Sequence, residues 1–310
     1  MAKCEKCGQD NASDANSCTW CGTPLIPVVD PNSIPNRDLG QLISHTFHLY
    51  GKNFWQFILI GLPPQILGFI ALIAFPDIGP DFSSGFGSEA ASEAALEEFA
   101  DFTRVLVPIS ILSALAVLIV EGATIHAVGK QYLGQNIDVL ANLRRGLSKL
   151  LILIAVSILV VLALMVSAPL MLILIGIPLA IFLVISWAFV FQMVMIEGKG
   201  PISALGSSYN LVKGSRWRVL GIGIVFILIQ IGLQILITIA TGVIDDVSQP
   251  LASITSSVAL AVISPIMFIG LTVVYLDLRA RKEGLTLDTL AMEMGERVVG
   301  AASSDDLRDV

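Results

Sequence analysis

Residues 150–166 read LLILIAVSILVVLALMV, seventeen positions with no charge and one hydroxyl. The uncharged run continues from Leu150 to Ile196, between Lys149 and Glu197. Leu, Ile, Phe and Val each favour insertion by roughly 0.3–0.6 kcal/mol near mid-bilayer. A helix needs about 20 such residues, at 1.5 Å each, to cross a hydrocarbon core. Such a run is too long for one span. Ser167-Ala168-Pro169 and Gly176-Ile177-Pro178 are two candidate breaks, and it reads as a hairpin of two spans whose turn falls between them at no fixed residue.

Five further features extend the pattern outward. Phe54–Phe75, Val105–Ala127, Ile177–Ile196, Val219–Thr241 and Ala252–Leu276 join Leu150–Val166 as stretches of spanning length. Composition agrees: 14% of residues are charged, and mean hydropathy is +0.82. A soluble domain carries about 25% charged residues.

Numbering the connecting segments alternately puts seventeen of the eighteen Lys and Arg residues on one side, Arg104 being the exception. Basic segments stay in the cytosol. The expected topology is six spans in the cytoplasmic membrane with both termini in the cytosol. The net charge of −7 is then mostly a property of the outer segments. There Asp77, Asp81, Glu89, Glu93, Glu97, Glu98, Asp101, Asp245 and Asp246 stand against Arg104 alone. The first fifty residues are polar or turn-rich, and the first apolar stretch exceeds a signal-peptide core, so no cleaved signal is expected.

A short amphipathic helix is expected before each odd-numbered span. Leu39, Leu42, Ile43 and Tyr50 share a face in the first, Leu140, Leu143 and Leu147 in the second, and Ile202, Leu205, Tyr209 and Val212 in the third. Phe47-His48-Leu49 aligns with Tyr209-Asn210-Leu211, and Trp55 with Trp217. The fold class is therefore an all-α integral membrane protein of three helical hairpins, each preceded by an interfacial helix. In the outer segment, Ser88 and Glu89 suit a helix N-terminus, with Glu93, Glu97 and Asp101 on one solvated face.

All four cysteines lie near the start, in Cys4-Glu-Lys-Cys7-Gly and Cys18-Thr-Trp-Cys21-Gly. Two CxxC turns ten residues apart suit one tetrahedral Zn²⁺ held by four thiolates. Iron uses the same spacing; disulfides do not fit a reducing cytosol. Four protein ligands leave no open position, so the ion is structural, and so small a segment needs it to fold. The segment from Lys3 to Leu25 resembles the short zinc ribbons that begin many bacterial and archaeal membrane proteins. Lys3 and Lys6 are its only basic residues, so the expected partner is protein and not nucleic acid. The reading by segment is a zinc ribbon over 1–25, a Pro-rich linker over 26–38, a membrane domain over 39–290 and a polar, flexible tail over 291–310. The tail is acidic, with Asp305, Asp306 and Asp309.

Glu121-Gly122, Glu197-Gly198 and Asp277 close the even-numbered spans near the inner boundary. With Arg144, Arg145, Arg216, Arg218 and Arg279 available, two uses fit: ion pairs that pin the interfacial helices, or a headgroup or cation site. Gln230, Gln234 and Thr238 recur at i, i+4 and i+8 in the fifth span, the spacing of interhelical hydrogen bonds or of a hydrated path. Pro63-Pro64 is expected to kink or break the first span, and Pro265 to kink the sixth. No nucleophile–base pair or open metal site is visible.

The blocks Met195–Leu205 and Ser208–Arg218, with Tyr275-Leu276-Asp277-Leu278-Arg279-Ala280-Arg281-Lys282-Glu283-Gly284, resemble a family of six-span prokaryotic membrane proteins. That family is related to the membrane domain fused to some glycerophosphoryl diester phosphodiesterases. The resemblance runs from Leu39 to Leu290 and implies a six-span fold. It does not imply phosphodiesterase activity, because the chain has no room for the catalytic barrel and no His-Arg-Gly element. The expected role is a non-enzymatic scaffold or regulatory protein, with transport or lipid handling as the alternative.

Overall fold

The computed structural model describes residues 2–4, 6–11, 18–22, 32–74, 89–171, 176–245 and 249–299. The acidic tail, most of the Pro-rich linker and segments 75–88 and 172–175 lie outside these residues; the side chains of Glu93, Glu97 and Asp101, on which a solvated face is expected, also fall outside the described structure. The chain divides into two compact units, Met1–Ser33 and Ile34–Val310.

In the first unit, β1 (Ala2–Lys3) pairs antiparallel with β2 (Asp10–Asn11), Ala2 opposite Asn11.

The regular elements of the second unit are all helices among its described residues. Its elements are α1 (Leu39–Lys52), α2 (Phe54–Ala74), α3 (Glu89–Tyr132), α4 (Val139–Ser148), α5 (Leu150–Met171), α6 (Gly176–Ser186), α7 (Val190–Met195), α8 (Pro201–Val212), α9 (Arg216–Asp245), α10 (Gln249–Glu283) and α11 (Leu287–Met294). Five apolar helices are long enough to cross a membrane: Thr103–Tyr132, Leu150–Leu170, Gly176–Met195, Arg216–Gly242 and Ile254–Glu283. The pair α1–α2, bent by 87° at Asn53, makes a sixth if its two helices count as one span. Only 17% of the apolar window is buried in the helix that begins at Leu150, and the same share in the one at Arg216. Leu151 is 82% exposed and Ile239 62%. So much outward apolar surface is untenable in water and is what hydrocarbon requires. These are the proportions of a multi-pass membrane protein.

The short amphipathic helices form where their sequences place them. Asp38 caps α1 in a reciprocal capping box with Gln41, and Asp138 caps α4 through the amide of Ala141. Pro201 opens α8, where its missing N–H costs nothing. Helix α4 sits on α3 backbone to backbone. A Cβ on Gly146 would lie 2.3 Å from the carbonyl oxygen of Ile119, so only glycine permits that approach.

Four expectations are corrected. Pro63 and Pro64 do not break α2, which runs through them; the sharp turn falls at Asn53 instead. Two adjacent prolines remove two N–H donors from one helical turn, and the other bonds keep the helix continuous. Ser167-Ala168-Pro169 is likewise inside α5 and makes no turn. The linker ends early: Ile34 and Arg37 are each 5% exposed, packed into the helical unit. The tail begins late, because Leu290, Ala291 and Met294 of α11 are buried and the Val299 amide donates to Leu133 O at 3.0 Å.

One break was not foreseen. The fourth apolar stretch is interrupted between Ser186 and Val190. Ser208 of α8, fully buried, donates to Ser186 O at 3.0 Å and accepts from the Phe189 amide at 3.3 Å. One hydroxyl thus satisfies both backbone groups that the interruption exposes.

Candidate metal centre and charged cluster

The four cysteines converge. Cys4 and Cys21 sulfurs are 3.6 Å apart, Cys7 and Cys18 sulfurs 3.5 Å, and all four lie within 4.8 Å of one another. Thiolates 2.3 Å from a shared tetrahedral zinc would be about 3.8 Å apart, so the cage has the right size. A disulfide needs about 2.05 Å, and none is formed. Local backbone makes the cage. The Gly8 amide donates to Cys4 O at 2.8 Å and the Gly22 amide to Cys18 O at 2.9 Å, each turn closing with φ near +70° (76° and 67°). Only glycine takes that conformation at little cost. The Cys4 amide donates to Gln9 O at 2.9 Å, tying the first turn to the β pair. A backbone hydrogen bond from Cys21, which outweighs desolvation, and a second from Trp20 lower the Cys18 pKa to about 6. Against a backbone hydrogen bond from Gln9, desolvation and the neighbouring thiols push Cys7 up to about 12. Trp20 in the second turn is 80% exposed.

In the helical unit, the sequence-selected acids meet the basic residues unevenly. Asp277 is 1% exposed. Its carboxylate accepts from the Arg37 amide at 2.7 Å, Arg218 Nη2 at 2.9 Å and Arg281 Nε at 2.8 Å. The same two guanidinium groups donate to Arg37 O at 2.8 and 2.6 Å. The peptide of Arg37 is therefore clamped from both ends, which is why this last part of the linker packs. Burying a carboxylate is costly unless its lone pairs are filled, and here they are.

Glu197 accepts from Tyr275 Oη at 2.5 Å and pairs with Lys199 at 2.6 Å. Arg279 approaches it at 3.7 Å but spends its fork on Glu293, at 2.6 and 2.9 Å, and its Nε on Glu283 at 2.7 Å. Glu293 lies on α11, so this network also docks the C-terminal helix. Glu121 joins neither group; its carboxylate has no hydrogen bond or ion pair among the described residues. Arg216 pairs with no acid among the described residues either. Its guanidinium carbon sits 4.7 Å from the Phe182 ring centroid and 5.0 Å from that of Tyr209.

Gln234 and Thr238 face outward from α9, with Gln230 half-buried beside them, and Thr238 donates to its own helix at Gln234 O. Sequence reading missed the roles of Tyr275 and Glu293, and the ion pair of Lys130 with Glu296 at 3.2 Å. Their partners lie in other segments of the chain, and no local spacing signals them. Searches against family models, curated proteins and solved structures find no match.

Proposed function

We propose that this chain is a six-span protein of the cytoplasmic membrane, both termini in the cytosol, that works as a scaffold or regulatory protein and not as an enzyme. Its N-terminal ribbon holds one structural zinc ion and is the interaction module. The family resemblance over Leu39–Leu290 belongs to the same proposal.

The observation that carries the reading is the four-sulfur cage with Trp20 exposed beside it. Four thiolates fill a tetrahedral ion and leave it no chemistry to do. A large exposed aromatic on a rigid turn is instead the kind of group that anchors protein contacts. The partition of Lys and Arg supports the orientation. The pairing of Asp277 and Glu197 with basic residues supports a structural role for those acids.

The test is capture of cytosolic partners by the full-length protein, set against Cys4→Ser and Trp20→Ala. Loss of a partner in both variants supports the reading; an unchanged partner set removes the ribbon's role. Protease protection of terminal tags tests the topology separately. Transport or lipid handling draws on the polar stripe of Gln230, Gln234 and Thr238, and uptake assays in vesicles distinguish it.

A further inference from the structure

We propose that Arg216, at the start of α9, anchors a binding site for the phosphate of an anionic phospholipid. The proposal rests on the membrane reading above and adds a ligand to it.

Arg216 differs from its basic neighbours. Arg218 and Arg281 are held by Asp277, and Arg279 by Glu283 and Glu293. Arg216 has no acid within ion-pair distance among the described residues, and its Nε and Nη2 are buried with no acceptor. An unfilled charged donor is costly, so an acceptor from outside the chain is strongly favoured there. The Nε–Nη2 edge is also the fork that grips phosphate in a bidentate way. Phe182 from α6 and Tyr209 from α8 hold the guanidinium by cation–π contact, their own centroids 6.3 Å apart. Both rings are more than a third exposed, at 39% and 37%. Opening the edge therefore moves surface rings and leaves the core alone.

The surroundings favour an anion. Lys213 is exposed three residues earlier, and Lys282 lies within electrostatic reach of Arg216. Lys282 donates to the carbonyls of Leu211 and Lys213, so its charge is held beside the site without a carboxylate. Glu283 also faces Lys282, but Arg279 binds its carboxylate. Three cations thus share one corner with no acid bound to any of them among the described residues.

Depth selects the lipid over a free anion. Arg216 is the first residue of an apolar helix of spanning length. Trp217 beside it is 86% exposed and Ile202 on α8 is 80% exposed. An outward Trp at a helix end marks the headgroup level, where lipid phosphates lie. Each basic residue near an anionic leaflet adds attraction, and a fork adds position.

The test is native mass spectrometry of the full-length protein in detergent, titrated with phosphatidylglycerol or phosphatidylcholine. One phosphatidylglycerol is expected to stay bound per chain, and phosphatidylcholine to leave. Arg216→Gln should weaken retention about tenfold or more, the size of one lost charge-assisted hydrogen bond. Arg216→Lys should recover only part of it. Arg144→Gln removes a charge elsewhere and should change nothing. Equal losses in the Gln variants at 144 and 216 would mean diffuse attraction and overturn the site. So would equal retention of both lipids, or millimolar inorganic phosphate displacing the lipid. If Arg216→Gln does not fold, Phe182→Leu keeps the charge, loosens its support and should still weaken retention; no change there refutes the proposal. Carbonate extraction runs alongside. A chain released by carbonate fails the membrane reading, whereas one that stays embedded without preferring phosphatidylglycerol fails only this inference.

Discussion

Replacing Asp277 by Ala tests the clamp on Arg37 most directly. The carboxylate receives one backbone amide and two guanidinium donors, all within 2.9 Å, at a site 1% exposed. Removing one partner of a buried ion pair costs about 3–5 kcal/mol, because the remaining charges lose their compensation. Arg218 and Arg281 side chains are 35% and 30% exposed, so water recovers part of that. The lower half, about 3–4 kcal/mol, is the expected loss. At roughly 2–3 °C per kcal/mol for a chain of this size, the midpoint falls by about 6–12 °C. Thermal unfolding of the purified protein in mild detergent reads this out. Asp277→Asn keeps one acceptor and should lose less. In a double-mutant cycle, Asp277→Asn and Arg281→Gln should be clearly non-additive. A midpoint for Asp277→Ala within experimental error of the parent, or full additivity in the cycle, would refute the clamp.

Three other outcomes are expected. Gly146→Ala would stabilise a free helix by about 1 kcal/mol, yet here the added methyl meets the Ile119 carbonyl and should destabilise by about 1–3 kcal/mol; a rise in unfolding midpoint would show that α4 does not touch α3. Ser208→Ala strands Ser186 O and the Phe189 amide, and should cost about 1–3 kcal/mol by the same assay, more than Ser203→Ala, whose hydroxyl bonds only its own helix turn. Elemental analysis should find one zinc per chain, lost in Cys7→Ser and on chelation, while far-UV helicity stays intact because the helical unit is separate.

The apolar helices were legible in the sequence because hydrocarbon imposes a single rule on every residue in a span. The same holds for the cysteine cage, which is local: two thiols on each of two tight turns. The pairing of Asp277 was half legible: Arg218 stood among the expected partners, whereas Arg281, four residues on along the same helix, did not. The Arg37 amide was not legible, because it lies 240 residues away.

Chain composition and spacing alone thus determined that this protein is helical, apolar over lengths that cross a bilayer, and equipped with a four-thiol site, because those properties follow from transfer energy and short-range geometry. Tertiary structure decided which acids are neutralised, that Arg216 has none beside it among the described residues, where the fourth apolar stretch breaks, and how far the N- and C-terminal segments pack. Those outcomes depend on which helices become neighbours, and the apolar pattern, nearly alike around every span, does not say which they are.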